Sequence, residues 1–262
     1  MIIIGTDEAG YGPNLGPLVV SLTAWEADAE DLSPLFAPLK QAGIPIGDSK
    51  KLYHGSLTTL ETSVLVPMQS LQGDIFPAFE AILQQHRVRL LDMQYRSIEP
   101  EEFNRLLDQF DSKGSLLSNV TLRLIAHQLA KYTHNNVLVL CDKHGGRNRY
   151  LDLLTEFFPG EFIQVIQESR ESSIYRLISE DRQGEFRFLA KGESHLPIAL
   201  ASMLSKYQRE LAMLRFNAFW QSHIPDLRPT AGYPEDAQRF KRQIADAQER
   251  LGIAEDHVWR KR

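Results

Sequence analysis

The sequence has one cysteine, Cys141, and it lacks long apolar runs. A single cysteine excludes an intrachain disulfide and argues against a zinc site built from cysteines. We expect Cys141 to be a small buried residue at the end of a strand. No apolar run approaches the length of a membrane span, and no basic segment precedes the first apolar residues. We therefore expect neither a membrane helix nor a signal peptide, and a cytoplasmic location.

An excess of charge of one sign is also missing. The 262 residues include 29 Lys and Arg against 34 Asp and Glu, which gives a formal net charge of -5 at pH 7. This balance argues against a protein that coats nucleic acid nonspecifically. It remains compatible with an enzyme whose basic residues line one groove. Repeats, low-complexity tracts and linkers are absent, so the length predicts one domain with an appendage.

Apolar runs bounded by turn residues predict strands, and apolar residues at helical spacing predict helices. The predicted strands are residues 1–7, 18–25, 64–67, 88–95, 137–141 and 162–167, with a hairpin of 174–179 and 185–189 around Asp181-Arg182-Gln183-Gly184. The predicted helices are residues 32–41, 76–85, 100–110, 119–132, 150–158, 197–220 and 235–251. This order predicts a three-layer α/β domain with a mixed central sheet over residues 1–262, and a helical C-terminal extension from about residue 206.

Two adjacent carboxylates, Asp7 and Glu8, stand at the end of the first predicted strand. In a continuing strand they would point to opposite faces, so they converge only if the chain turns at once. Ala9, Gly10 and Gly12 supply such a turn, and glycine lets the backbone approach a ligand closely. The alternative is a solvated strand end whose carboxylate caps a helix.

Asp142 and Glu193 stand where ligand-binding groups are expected in an α/β sheet. Asp142 closes the apolar strand and precedes a basic, glycine-rich loop, the position at which open sheets bind ligands. Glu193 opens the long helix. Each also has an ordinary structural explanation, Asp142 as a turn or cap residue and Glu193 as a charge that favours the helix dipole. We interpret His144 and His195 as cap or surface histidines.

Five ordered segments together resemble the ribonuclease HII family. The opening motif of that family, Asp-Glu-Ala-Gly-Arg-Gly-Pro, is similar to Gly5-Thr6-Asp7-Glu8-Ala9-Gly10-Tyr11-Gly12-Pro13, which continues to Gly16-Pro17. The other matches are Asp48-Ser49-Lys50-Lys51-Leu52, then Asp142 after its apolar strand, then Lys191-Gly192-Glu193 with Pro197 and Ala201-Ser202-Met203-Leu204-Ser205-Lys206, and finally Gly232-Tyr233-Pro234-Glu235-Asp236. The matches span most of the chain in the family's order, which makes the resemblance specific.

The resemblance implies a ribonuclease H-like fold and an endonuclease that cuts the RNA strand of RNA–DNA hybrids by a two-metal mechanism, leaving 5′-phosphates. Carried over residue by residue, the catalytic and metal-binding carboxylates are Asp7, Glu8, Asp142 and Glu193, and the cofactor is two Mg²⁺ or Mn²⁺ ions. The implied partner is a nucleic acid, and the protein is expected to be a monomer.

The resemblance also implies a substrate-binding set. It comprises Gly10, Tyr11, Gly12, Ser49, Lys50, Lys51, Lys143, Arg147 and Tyr233. Lys50 and Lys51 would neutralise phosphates, and the backbone from Gly10 to Gly12 would approach a ribose 2′-OH. Tyr233 would pack against the sugar beside the cut. Without the resemblance, a solvated turn explains the two lysines and a core-edge aromatic explains the tyrosine.

Three features depart from the family pattern. Tyr11 replaces an arginine, which removes a charged phosphate contact. Glu193 replaces an aspartate, and the longer side chain should suit Mn²⁺ better than the stricter geometry of Mg²⁺. The stretch from Asp142 to Glu193 is long. We interpret its 170–189 hairpin as a decoration of the sheet, and we expect Lys143, Arg147 and Arg149 to contact substrate.

Two other functions remain open at this point. The same fold and chemistry could act on another nucleic acid, such as DNA or a structured or branched substrate, because Tyr11 and the long stretch change the expected contacts. Alternatively, the protein could bind nucleic acid without cutting it. Retention of four mutually repelling carboxylates argues against the second alternative.

Overall fold

The centre of the fold is a seven-stranded mixed sheet. A computed structural model describes residues 1–53, 55–110, 112–178 and 183–261. The strands are β1 (Ile2–Ala9), β2 (Leu18–Ala27), β3 (Val88–Ile98), β4 (Val137–Asp142), β5 (Phe162–Glu168), β6 (Ser172–Ile178) and β7 (Gln183–Leu189). Their order across the sheet is β3-β2-β1-β4-β7-β6-β5. β4 pairs in parallel with both β1 and β7, and the other neighbours are antiparallel.

Helices cover both faces of this sheet, which confirms the predicted three-layer α/β fold class. They are α1 (Phe36–Gln41), α2 (Ser49–Leu52), α3 (Thr58–Leu71), α4 (Pro77–Gln85), α5 (Pro100–Leu107), α6 (Lys113–Leu129), α7 (Leu151–Phe157), α8 (Leu196–His223) and α9 (Pro234–Arg250). In β1, Ile3 belongs to the core under α8, whereas Ile2 and Ile4 belong to the core under α6 and α7. This alternation follows from the two-residue period of a strand. Cys141 is fully buried in β4, as predicted.

Helix α8 lies across the centre of the sheet because Gly5 lets it approach β1 closely. A Cβ atom at Gly5 would stand 2.2 Å from the carbonyl carbon of Pro197 in the first turn of α8. Thr23 of β2 donates a hydrogen bond of 2.9 Å to the carbonyl oxygen of the same proline. The helix continues without a break to His223, and α9 packs beside its far end around Trp220 and Phe240. Within the described residues, no helix has the combined length and apolarity that a membrane span requires.

The predicted strand at residues 64–67 is wrong, because these residues lie inside helix α3. A short apolar run that contains valine fits either structure when it is judged by local pattern alone. In the structure the buried residues of this segment recur at helical spacing. They are Leu60, Ser63, Val64 and Pro67, and they form the covered side of the helix.

The interpretation of the 170–189 hairpin as a decoration is also wrong. β7 is the direct parallel neighbour of β4, with Asp142 opposite Leu189, and β6 and β5 extend the sheet beyond it. The hairpin therefore supplies the strand that pairs with β4 as far as Asp142. Of its predicted turn, Asp181 and Arg182 lie outside the described residues, whereas Gln183 and Gly184 belong to β7.

Candidate active site

Parallel pairing of β1 with β4 brings Asp7 and Asp142 to the same end of two neighbouring strands. The pairing ends at Thr6 and Cys141, so the next residue of each strand is one of the two aspartates. The sequence pattern predicts a turn directly after Glu8, but strand β1 continues through Glu8 to Ala9. The turn comes at Gly10, whose φ is 88°. Both Asp7 and Glu8 nevertheless line one cleft at this strand end.

Glu193 reaches the same cleft from a single turn that precedes α8. Lys191 adopts a left-handed conformation with φ 62°, and a short 3-10 turn follows from Gly192 to Ser194. The amide of Gly192 donates a hydrogen bond of 2.9 Å to Oδ1 of Asp142, which ties this turn to the end of β4. Oε1 of Glu193 accepts hydrogen bonds from the hydroxyls of Ser202, at 2.7 Å, and Ser49, at 3.2 Å.

The cleft has a volume of about 890 Å³ and collects most of the predicted site. Its lining includes Asp7, Glu8, Gly10, Tyr11, Gly12, Ser49, Lys50, Lys51, Asp142, Glu193 and Tyr233. Tyr233, which precedes α9, is 54% exposed, so its ring is available at the mouth of the cleft. Ser49 is buried and its hydroxyl is bonded to Glu193, so it positions a carboxylate and does not face solvent.

The carboxylates are close enough to hinder one another's ionisation. Burial raises the pKa of Asp7 well above its usual value, and the charges of Glu8 and Asp142 raise it further. Burial and the charge of Asp142 raise the pKa of Glu8 from 4.5 to about 7. Burial also raises the pKa of Asp142. The hydrogen bond from Gly192 lowers this pKa, and the charge of Glu193 raises it. Such a cluster is under-neutralised by the protein alone.

Lys50 is a cation that faces this cluster. Its charge lowers the pKa values of both Glu8 and Asp142. Asp48 caps the short helix α2 by accepting hydrogen bonds from the amides of Lys50 and Lys51, at 3.0 and 3.3 Å. The cap holds the two lysines at the rim of the cleft.

The carboxylates fit Mg²⁺ or Mn²⁺ by donor type and by uncompensated charge, because hard cations prefer oxygen ligands. Among the described residues, no three His, Cys, Asp or Glu side chains are grouped closely enough to hold an ion as they stand. Local hydrogen bonds hold three of the four carboxylates. Besides Asp142 and Glu193, Asp7 also uses an oxygen locally, accepting a bond of 2.7 Å from the amide of Glu8. Metal binding would require the carboxylates to move closer together around the ion.

Tyr11 belongs to the β1–β2 loop and reaches the loop that follows β4. Its hydroxyl lies 2.9 Å from the position that a Cβ of Gly145 would occupy and 3.7 Å from that of Gly114. Burial raises the pKa of Tyr11, and the charge of Glu8 raises it further. The tyrosine therefore packs the β1–β2 loop against the loop that follows β4.

The predicted substrate contacts of Lys143, Arg147 and Arg149 do not agree with their placement. Nζ of Lys143 is buried and donates to Asn148 Oδ1, Ser173 Oγ and the carbonyl of Ser169, at 3.0, 3.0 and 2.8 Å. Arg147 donates to the hydroxyl of Ser115, and Arg149 pairs with Glu168. None of the three is among the described residues that line the cleft. Lys143 and Arg147 support the loop after β4, whereas Arg149 is exposed outside the cleft.

His144 is buried, which corrects its interpretation as a cap or surface residue. Its ring meets Tyr150 and Phe188 edge to face, and Nδ1 lies 3.0 Å from the hydroxyl of Ser118. Burial lowers the pKa of His144 to about 3, so its ring is neutral. His195 precedes the first residue of α8 at the helix cap position, as predicted, without a side-chain cap bond.

Sequence reasoning missed three residues that shape the cleft. Ser202 supports Glu193, and its place in the Ala201–Lys206 match was the available signal. Arg209 lines the cleft from α8, and Arg260 lies beneath the β1–β2 loop; both are buried. No local pattern identifies a buried arginine, because its burial depends on residues far away in the chain.

The raised pKa values predict how stability should depend on pH without metal. A carboxyl with a higher pKa in the folded than in the unfolded chain favours its protonated, folded form. Stability should therefore fall as pH rises from about 4.5 through about 7, the interval set by Glu8. Divalent ions should raise the melting temperature most at alkaline pH, because they compete with protons for the same oxygens.

Thermal unfolding at pH 5.5 and 8, with chelator and with Mn²⁺, measures both effects. The Glu8→Gln variant is the matched control and should show a flatter pH dependence. A chelated wild-type protein that melts at a higher temperature at pH 8 than at pH 5.5 would contradict the prediction.

Comparison with known proteins gives the fold of this chain. No family model matches the sequence, and no curated protein matches it. Ribonuclease HII of Archaeoglobus fulgidus, solved in a complex with PCNA, matches with a TM-score of 0.57 and 19% identity over 100% of this chain and 95% of that one. Ribonuclease H2 of Pyrococcus horikoshii matches with a TM-score of 0.52 and 16% identity over 98% and 92%. Bst-RNase HIII in complex with Mn²⁺ matches with a TM-score of 0.52 and 18% identity over 100% and 66%.

These matches confirm the fold that the motifs implied, the ribonuclease H-like fold as it occurs in ribonucleases HII and HIII. The identities of 16–19% make this chain a divergent example of it.

Proposed function

We propose that this protein is a metal-dependent endonuclease that hydrolyses the RNA strand of RNA–DNA hybrids and leaves 5′-phosphates. The observation that carries the proposal is one cleft in which Asp7, Glu8, Asp142 and Glu193 stand opposite Lys50. Acidic oxygens beside a lysine suit a reaction in which metal ions and a phosphate meet. The fold shared with ribonucleases HII and HIII supports the same chemistry.

The four carboxylates would hold two Mg²⁺ or Mn²⁺ ions. When bound, such ions supply an activated water and stabilise the oxygen that leaves the phosphate. Asp7 and Asp142 contribute from the ends of β1 and β4, so their backbones are held by the sheet. Bst-RNase HIII, which shares this fold, has been solved in complex with Mn²⁺, and this supports a divalent cation as the cofactor proposed here.

Glu193 would bind metal in place of the shorter aspartate of the family motif, because two serines position it. The hydroxyls of Ser49 and Ser202 lie 3.0 Å apart and both contact Oε1. A metal ion would then be held by the other carboxylate oxygen, Oε2. The serines therefore compensate for the extra methylene by restricting the glutamate to one orientation.

The remaining contacts would bind the hybrid. Lys50 and Lys51 would neutralise phosphates, and the turn at Gly10 would bring backbone close to a ribose 2′-OH. Tyr233, half exposed at the mouth, would pack against the sugar next to the cut.

A substrate panel tests the proposal directly. Purified protein is incubated with a labelled RNA–DNA hybrid, duplex DNA, single-stranded RNA and a duplex that contains one ribonucleotide, each with Mg²⁺, Mn²⁺ or chelator. We expect cleavage of the RNA strand of the hybrid, only with a metal ion, and 5′-phosphate ends on the products. Absence of cleavage in every arm, with Asp7→Asn indistinguishable from wild type, would reject the proposal.

A second candidate keeps the site and changes the substrate to another nucleic acid. The observation that favours it is Tyr11, which packs towards Gly145 and Gly114 where the family motif has an arginine. The same panel separates the candidates. Preferential cleavage of duplex DNA or of structured RNA supports the second, and cleavage confined to the hybrid excludes it.

A further inference from the structure

Arg260 lies beneath the β1–β2 loop and is fully buried. Its Nη2 donates a hydrogen bond of 2.7 Å to the carbonyl of Gly10 and a second bond to the carbonyl of Pro13. The amide of Arg260 donates to the carbonyl of Asn14 at 2.8 Å. One residue of the segment after α9 therefore holds three backbone carbonyls of the loop that carries the opening motif.

Aromatic packing fixes the orientation of this guanidinium. Its central carbon lies 4.6 Å from the ring centre of Phe103 in α5. Asn104, the next residue of α5, donates a hydrogen bond of 2.8 Å to the carbonyl of Trp259 and accepts one of 2.7 Å from the amide of Lys261. Helix α5 thus holds the segment on both sides of Arg260.

A second buried guanidinium, that of Arg209, supports the same loop from helix α8. Its Nη2 donates to the carbonyl of Ala231 at 3.0 Å and lies 3.4 Å from that of Leu15. A Cβ at Gly10 would stand 2.4 Å from the carbonyl oxygen of Pro17 and 2.7 Å from Nε of Arg209, so only glycine fits at this position. Arg209 thereby joins the loop to the segment that leads to Tyr233.

The arginines form few other bonds for groups so deeply buried. Among the residues that the structure describes, Nε of Arg209 and both Nε and Nη1 of Arg260 have no hydrogen-bond partner. A buried guanidinium normally satisfies its donors. Two buried arginines with unpaired donors lower the stability of the fold, and such a loss is expected where residues serve function.

We propose that Arg260 and Arg209 are positioning residues that hold the Gly10–Pro13 backbone in the conformation that contacts the substrate sugar. Arg260 binds the carbonyls of Gly10 and Pro13, and the residues from Gly10 to Pro13 line the cleft. The arginines act through the loop and do not touch the reacting atoms. This inference rests on the proposed function, in which the loop contacts a 2′-OH.

The variant Arg260→Lys tests the inference. Lysine keeps the charge, but it lacks the planar guanidinium that packs on the ring of Phe103 and so holds Nη2 in place. We expect hybrid cleavage to fall about tenfold or more, because a small misplacement of a substrate contact has a large effect on rate. Lys261→Met, which removes an exposed ion pair with Asp108, is the control and should cleave like wild type.

A comparison of two substrates separates positioning from a general loss of folded protein. The second substrate is a hybrid whose RNA strand carries 2′-fluoro groups in place of the hydroxyls. Loss of the loop contact should reduce cleavage of the 2′-hydroxyl hybrid much more than that of the 2′-fluoro hybrid, so the ratio of the two rates falls. A smaller folded fraction would lower both rates equally and leave the ratio unchanged, which would overturn the inference.

Hydrogen exchange gives a readout that does not depend on activity. The amides of Asn14 and Leu15 are bonded to the carbonyl of Gly232 across the loop. In Arg260→Lys they should exchange at least tenfold faster, while amides of β4 remain unchanged.

If wild type cuts no substrate, the proposed function fails, and exchange still tests the positioning role. If Arg260→Lys does not fold, Phe103→Leu removes the ring under the guanidinium and should change ratio and exchange in the same direction; unchanged values would reject the inference.

Discussion

Asp7→Asn should lower hybrid cleavage by about 10³-fold while leaving the protein folded. The amide has nearly the same shape as the carboxylate, but it cannot contribute a negative charge to a divalent ion. Metal ions supply several kcal/mol of transition-state stabilisation, and each 1.36 kcal/mol corresponds to a factor of ten in rate. Single-turnover cleavage with saturating Mg²⁺ or Mn²⁺ measures the loss.

The same variant should be more stable than wild type in the presence of chelator. Asp7 is destabilised as a charge by burial and by the neighbouring Glu8 and Asp142, so its neutral substitute removes repulsion. Asp246→Asn, which alters an exposed acid of α9, serves as the control and should change neither property. If Asp7→Asn cleaves at the wild-type rate, Asp7 is not a catalytic residue. A variant that melts well below wild type in chelator would show that Asp7 has a structural role.

Gly5→Ala should lower the free energy of unfolding by about 3 kcal/mol or more, the upper end of the range for overpacking in a core. Its Cβ would stand 2.2 Å from the carbonyl carbon and 2.4 Å from the carbonyl oxygen of Pro197. Both are backbone atoms at the start of α8, so no side-chain rotation relieves the clash. The helix would have to move away from β1. Urea denaturation monitored by circular dichroism measures the difference.

Gly5→Ala should also reduce cleavage, because the start of α8 adjoins the turn that carries Glu193. The control is Gly146→Ala, since the added methyl group there meets no atom within 4 Å and the backbone is not left-handed. Gly146→Ala should keep wild-type stability to within about 0.5 kcal/mol. Equal stability of the two alanine variants would mean that α8 does not approach β1 as closely as described.

The acidic side chains illustrate how much of the site a sequence can indicate. Asp7 and Asp142 follow apolar strands, which marked them as candidate ligand-binding residues, and the family resemblance implied that they share one site. The parallel pairing of β1 with β4 brings them to the same strand end. The structure adds Ser49 and Ser202, which hold Glu193 in place. Their role was not predicted because it depends on contacts between α2, α8 and the turn before α8.

Basic residues show where the prediction was weakest. Lys143 and Arg147 were expected in the cleft because they follow Asp142 closely, yet both support the loop internally. Conversely, Arg209 and Arg260 carry no local signal and lie at the cleft or directly beneath it. A charge in the sequence favours the surface by default. Only the surroundings decide whether a particular charge is buried.

Local patterns determined most of the strands and helices of this protein, because strand and helix periodicity depend on residues within a few positions of one another. They also determined that acidic residues stand at the ends of β1 and β4. Tertiary structure alone decided that residues 64–67 are helical, that β7 lies beside β4, and that Arg260 supports a loop 250 positions earlier in the chain. Those outcomes depend on burial between distant segments, which no short window of sequence contains.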